Sequence, residues 1–158
     1  MNILVLCTGN SARSILLESL LNTKSEGKVH AYSAGSQPAG KVHPQSLKLL
    51  AQKGHDTSEF RSKSWSEFEG PNAVEMNAVI TVCGSAAQET CPHWPGAPVT
   101  AHWGVEDPAA APKPEWDQAF RTAYEILERR ADAFLATLSD NFSNGDLHAK
   151  LIEAGKIQ

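Results

Sequence analysis

Residues 2–14 read Asn2-Ile3-Leu4-Val5-Leu6-Cys7-Thr8-Gly9-Asn10-Ser11-Ala12-Arg13-Ser14, and this stretch decides the fold. It opens on an uncharged run of aliphatic side chains, the pattern of a strand buried on both faces of a parallel sheet. The chain then turns through residues 7–11. A helical pattern begins at about Arg13, with Ile15, Leu16, Leu20 and Leu21 apolar at helical spacing.

The same alternation continues outward. Residues 29–33 predict a second strand, ended by Ala34-Gly35. Pro44 stands at a first helical position, Leu47, Leu50 and Ala51 form a stripe, and Gly54 is a natural stop. Residues 73–83 contain the strand-like AVITVC, and residues 97–103 predict a weaker fourth strand. Pro114 and Glu115 open the longest helix, with Trp116, Phe120, Ala123, Leu127, Phe134 and Leu138 on or near one face. Strands alternating with helices imply crossover units. The expected fold is a single α/β domain with a four-stranded parallel sheet flanked by helices. Residues 1–138 carry it, and residues 139–158 form a turn-rich C-terminal extension in which Leu147, Leu151 and Ile152 allow a short helix. In such sheets the ligand site lies beyond the carboxyl ends of the strands. Cys7 and Cys83 each end an expected strand, so both thiols should face that edge.

Composition narrows the function. The chain has 158 residues, 41% of them hydrophobic, enough for one compact core. Fourteen Lys and Arg against eighteen Asp and Glu give a net charge of -4. That provides no basic surface for nucleic acid and no polybasic membrane patch. No apolar run approaches the roughly 20 residues that span a bilayer, and no secretory signal is visible, so a cytoplasmic location is expected. Three cysteines, Cys7, Cys83 and Cys91, argue against a disulfide scaffold. In a reducing compartment they are core residues, metal ligands or reactive thiols.

The loop of residues 7–14 has a coherent chemistry. A short loop entering a helix aims several backbone N–H groups at one point, and with the helix dipole they stabilise an anion there. Thr8, Gly9, Asn10, Ser11, Ala12, Arg13 and Ser14 would thus bind an oxyanion, Arg13 adding a planar fork. The same field would favour the Cys7 thiolate, the nucleophilic form, and Ser14 could donate to its sulfur. The plainer alternative is a buried structural thiol with Arg13 on the surface. A Walker-type nucleotide loop is excluded, because no Gly-Lys-Ser/Thr follows.

CTGNSARS, with YSAG at residues 32–35 and the pair Asp107-Pro108, resembles the low-molecular-weight protein tyrosine phosphatase superfamily over about residues 1–138. The resemblance implies a Cys7 nucleophile, an oxyanion loop with Arg13, and Asp107 as general acid. Within the superfamily, Cys83 and Cys91 together with HWGVEDPA at residues 102–109 resemble the arsenate reductase branch, in which two further cysteines relay the oxidation. Ala109, Ala110 and Ala111 follow Asp107-Pro108, where a phosphatase would usually carry tyrosines. The implied reaction forms a Cys7–arsenic adduct from arsenate, then a Cys7–Cys83 disulfide that releases arsenite, then a Cys83–Cys91 disulfide. An external thiol system, thioredoxin or glutathione with glutaredoxin, resets the enzyme without metal or organic cofactor. The alternative enzyme is a phosphomonoester or tyrosine phosphatase using Cys7, Arg13 and Asp107.

Other readings stand beside these. Cys83 could be a core thiol, and Cys83, Cys91 and His93 could ligate a metal, although zinc sites usually show tighter spacing. Asp107 before Pro could simply start a turn, and the six histidines read as surface or packing residues. A helix over residues 83–91 would separate the two Cα atoms by about 12 Å, whereas a disulfide tolerates at most about 7 Å. The segment is therefore expected to be a loop or to unwind on oxidation.

The chain also departs from the family pattern. Ala12 stands where relatives of this loop often carry a second Cys. Some thioredoxin-linked relatives bind potassium behind the loop through Asn, Glu, Ser and Asp. Asn10, Glu18 and Ser33 match that set, but Lys63 stands at the Asp position. Its ammonium could take the cation's place and pair with Glu18, or Lys63 could be an ordinary solvated residue.

Overall fold

The computed structural model describes residues 1–88, 94–96 and 98–158. Four strands, β1 (Asn2–Cys7), β2 (His30–Gly35), β3 (Ala78–Thr81) and β4 (Val99–His102), form one sheet in the order β2-β1-β3-β4. All neighbours are parallel, as the crossover pattern requires. The helices are α1 (Arg13–Lys24), α2 (Pro44–Gln52), α3 (Gly84–Gln88), α4 (Trp116–Ala136) and α5 (Asn144–Gly155).

β1 is central and its residues from Ile3 onward are buried. Successive side chains on a strand point to opposite faces. Ile3, Val5 and Cys7 therefore join the larger core with Ile15, Leu16, Leu20, Phe120, Leu127 and Phe134. Leu4 and Leu6 pack on the other face with Phe68, Met76, Val79 and Trp94. That parity sets Cys7 at the strand's carboxyl end on the side where α1 begins.

Several boundaries differ from expectation, each for a local reason. β2 runs through Ala34 and Gly35 instead of ending before them, because Gly35 still pairs with Cys7 and bridges to Ser64. A side chain at Gly35 would lie 2.4 Å from the Thr8 carbonyl oxygen, so only glycine lets β2 pass under the loop. β3 is shorter than residues 73–83, since its pairing with β1 spans only Ile3 to Leu6. Cys83 consequently lies past the strand end and starts α3, its carbonyl accepting from Ala87 N–H and its sulfur from Ala86 N–H at 3.4 Å. β4 begins at Val99; residue 97 lies outside the described residues. A single 3-10 turn (Lys113–Glu115) precedes α4, which starts at Trp116.

α5 is twelve residues long, opened by a reciprocal capping box between Ser143 and Asp146. It buries Leu147, Leu151 and Ala154 in the larger core. Among the described residues no helix is long and apolar enough to cross a membrane.

Candidate active site

The loop between β1 and α1 is held by what surrounds it. Four of its carbonyls, those of Thr8, Gly9, Ser11 and Ala12, are taken by neighbouring donors. Thr8 O accepts from Gln37 N–H at 3.0 Å, and Gly9 O accepts from Ala39 N–H at 2.9 Å and the Ser62 hydroxyl at 3.0 Å. Ser11 O accepts from His43 N–H at 3.0 Å and the Ser46 hydroxyl at 2.9 Å, while Ala12 O accepts from Leu16 N–H at 3.0 Å. Peptide planes that present their acceptors outward present their donors inward. The amides of Asn10, Ser11 and Ala12 donate to no described residue.

Asn10 makes this geometry possible. Its φ is 46°, in the left-handed region that asparagine tolerates better than most residues. The fully buried side chain donates to Ser14 Oγ and Ser33 Oγ, both at 2.9 Å, and accepts from Lys63 N–H at 2.9 Å. The Ser33 hydroxyl donates in turn to Glu18 at 2.6 Å. Ser14 is thus committed to Asn10. The expected donation from Ser14 to the Cys7 sulfur is not formed; the hydroxyl oxygen instead accepts from the Asn10 amide.

Arg13 opens α1 with its side chain mostly buried. Its guanidinium donates to Val105 O at 2.9 Å and stands 3.7 Å from the Asp107 carboxylate, and its buried Nε has no partner among the described residues. An unpartnered guanidinium N–H beside inward-facing amides is a donor set for a tetrahedral anion. Asp107 is 44% exposed, and its other oxygen accepts from Ala109 N–H at 3.0 Å. The turn reading of Asp107 holds, and that turn leaves its other oxygen facing Arg13, the placement a general acid would need.

Cys7 and Cys83 are both buried, free, and close enough for one sulfur to hydrogen-bond the other. Cys83 is lowered to about 5, first by the Cys7 thiol, with help from Ala86 N–H and Thr8. Cys7 is pushed far up, first by the same bond and then by burial, against the pull of Arg13 and Gly9 N–H. The loop field does act on Cys7 as expected, through Arg13 and Gly9 N–H, but Cys7 titrates together with Cys83. In the reduced protein with no anion bound, the pair shares one proton, and one negative charge is held across the two sulfurs. Cys91 and His93 lie outside the described residues, as does the Cys83–Cys91 spacing.

Behind the loop, Lys63 is 9% exposed, so the solvated-surface reading is overturned. Burial lowers Lys63 and raises Glu18, and each favours the other's charged form. They make no direct ion pair; Lys63 Nζ donates to Arg61 O at 3.3 Å. Sequence reasoning missed the outer layer of Ser46, Ser62 and His43. His43 is more than a packing residue, since its ring also caps α2 by accepting from Gln45 N–H at 3.1 Å. A His-Pro pair opening a helix was the available signal. Among the described residues no group of three His, Cys, Asp or Glu is placed to hold a metal ion.

Comparison with known proteins agrees with this geometry. Residues 2–144 match the family model "Low molecular weight phosphotyrosine protein phosphatase". The arsenate reductase of Bacillus licheniformis is 36% identical over 128 residues, 78% of this chain and 88% of that protein. The arsenate reductase of Halalkalibacterium halodurans is 32% identical over 134 residues, 84% and 93% of the two chains. A solved structure described as an arsenate reductase in the phosphate binding state superimposes with a TM-score of 0.71 at 25% identity, covering 87% of this chain and 98% of that one.

Proposed function

The chain belongs to the low molecular weight phosphotyrosine protein phosphatase family, and from that premise we propose that it is an enzyme reducing arsenate to arsenite. The single observation that carries this reading is a second buried free thiol, Cys83, brought against Cys7 at the oxyanion loop. Phosphate ester hydrolysis needs one nucleophile and an acid. A second thiol beside the first is what a two-electron reduction needs.

Arsenate is the substrate, bound by the inward amides and Arg13 in a site that presents only donors. The shared proton crosses to Cys83, which frees the Cys7 thiolate to attack arsenic. Asp107 protonates the departing oxygen, so water leaves and a Cys7–arsenic(V) bond remains. Cys83 then gives up its proton and attacks the Cys7 sulfur. The sulfur–arsenic bond breaks with both electrons going to arsenic, which leaves as arsenite, and a Cys7–Cys83 disulfide remains. Cys91 attacks Cys83 and releases Cys7 as a thiolate. A dithiol reductant of the thioredoxin type, or glutathione with glutaredoxin, reduces the Cys83–Cys91 bond in the reducing cytoplasm. No resident metal or organic cofactor takes part. Ala109, Ala110 and Ala111 after Asp107-Pro108 also support arsenate over an aryl ester, since they offer no aromatic ring for a leaving group to stack on.

The test measures arsenite production with each reductant against hydrolysis of an aryl phosphate. Arsenite turnover with thioredoxin or glutathione supports the reading; aryl phosphate hydrolysis without arsenite overturns it. A pH titration of thiolate absorbance is also informative. A group whose pKa is depressed keeps its charge until the pH falls through the folded value. The reduced protein is therefore expected to retain one thiolate from neutral pH down to about 5, and Cys83→Ser to abolish that low-pH step. A thiolate titrating near the ordinary 9.0 would contradict the shared-proton pair. Finally, Lys63 supplies the positive charge behind the loop, so exchanging sodium for potassium is expected to leave turnover unchanged; strong potassium stimulation would refute that role.

A further inference from the structure

The family match ends at residue 144, so most of α5 lies beyond it, yet α5 is not a loose appendage. It is fastened to the segment that carries the general acid. Trp103, fully buried where β4 ends, donates from its indole N–H to Leu151 O at 2.8 Å. Gly155 approaches so closely that a Cβ there would lie 2.8 Å from the Trp103 ring. One turn further, Arg130 of α4 is 3% exposed and makes no ion pair among the described residues. Its guanidinium is satisfied by main chain: Nε donates to Ile157 O at 2.7 Å and Nη1 to Gly104 O at 3.1 Å. Arg129 holds Gln158 O at 2.8 Å beside it.

Gly104 and Val105 are the two residues that lead into Glu106-Asp107. Their successive carbonyls are each held by an arginine, Gly104 by Arg130 from the tail side and Val105 by Arg13 from the oxyanion loop. The Asp107 carboxylate is substantially exposed and held by its cap bond from Ala109 N–H, so it moves with its own main-chain turn. Its distance from the anion therefore depends on where the main chain of residues 104–106 is held. A buried cation spent entirely on two carbonyls, one in the tail and one in the acid loop, is costly to bury for stability alone.

We propose that the C-terminal helix and tail are a strut for the general-acid loop, with Arg130 as the positioning residue that sets Asp107 against Arg13 and the bound oxyanion. This rests on the proposed role of Asp107 in arsenate reduction. It assigns residues 144–158 a part in turnover that the shared domain does not supply.

The test is a double-mutant cycle in the full chain: Arg130→Met alone, Asp107→Asn alone, and both together. kcat and KM are measured for arsenate at saturating reductant and for phenyl phosphate, whose poor leaving group also needs the acid. Misplacing a catalytic group by about 1 Å costs up to about 10²-fold, so Arg130→Met is expected to lower kcat about 10-fold with KM unchanged. Arg130→Lys should recover part of the loss. In the Asp107→Asn background, Arg130→Met should cost nothing further. Gly155→Ala, which pushes on Trp103 from the tail, serves as the second variant if Arg130→Met does not fold, with the same coupled loss expected. An equal loss with and without Asp107, or no loss at all, overturns the strut. If the wild-type protein hydrolyses phenyl phosphate but yields no arsenite, the reductase reading fails while the phenyl phosphate cycle still decides the strut.

Discussion

Cys83→Ser is expected to stop arsenite turnover while sparing the first chemical step. Without the Cys83 sulfur nothing adjacent can attack Cys7, so the enzyme should halt after one equivalent as the Cys7–arsenic adduct. Removing an essential nucleophile costs at least about 10³-fold in multiple turnover. Hydrolysis of an aryl phosphate should remain within about 10-fold of wild type, because it needs only Cys7, Arg13 and Asp107. The substitution also removes the largest influence that raises Cys7, so its value should fall, with burial still opposing Arg13 and Gly9 N–H. Reactivity of Cys7 toward an alkylating agent at neutral pH should therefore increase. Unchanged arsenite turnover would show that an external thiol, not Cys83, resolves the adduct.

Arg13→Lys is expected to cost both reactions together. Arg13 does three things from one planar group: it offers an unpartnered Nε to the anion, stands by Asp107 and ties down Val105. A lysine ammonium is a single point charge that cannot satisfy these directions at once. Losing one preorganised donor to an oxyanion costs about 10²–10³-fold. Arsenite production and aryl phosphate hydrolysis should both fall by at least that much, with the Cys7–Cys83 thiolate titration retained. Parallel activity within about twofold of wild type would remove Arg13 from the site.

Much of the site is legible in local sequence because its chemistry is local. A buried run ending in Cys7, a loop with Gly9 and Asn10, and Arg13 opening a helix are consecutive, and short-range backbone geometry decides what they can bind. Asp107 was legible from its Pro and its surroundings, since the capping turn it forms is also a short-range event. The outer layer was not legible. Ser46, Ser62 and His43 are ordinary polar residues in sequence, and each acquires meaning only where the fold carries its segment past the loop, whereas Ser33 and Lys63 were legible only through the family resemblance.

The C-terminal segment shows the same boundary. Its apolar positions Leu147, Leu151 and Ile152 predicted a helix, and the Ser143–Asp146 capping box fixes where it starts. Its length and its contact with Trp103 and Arg130 depend on residues dozens of positions away. Ile152 in fact stays 39% exposed, while Leu147 and Leu151 are buried.

Sequence by itself determined the alternation of strand and helix, the oxyanion loop and the nucleophile, because hydrophobic period, turn chemistry and helix-terminus electrostatics act over a few residues. Tertiary structure alone decided that the two sulfurs titrate as one pair. Cys7 and Cys83 are separated by 75 intervening residues in sequence, and β1 pairing with β3 brings them together. A proton shared across that contact is a property of the pair, fixed by the donors that folding gathers around each sulfur.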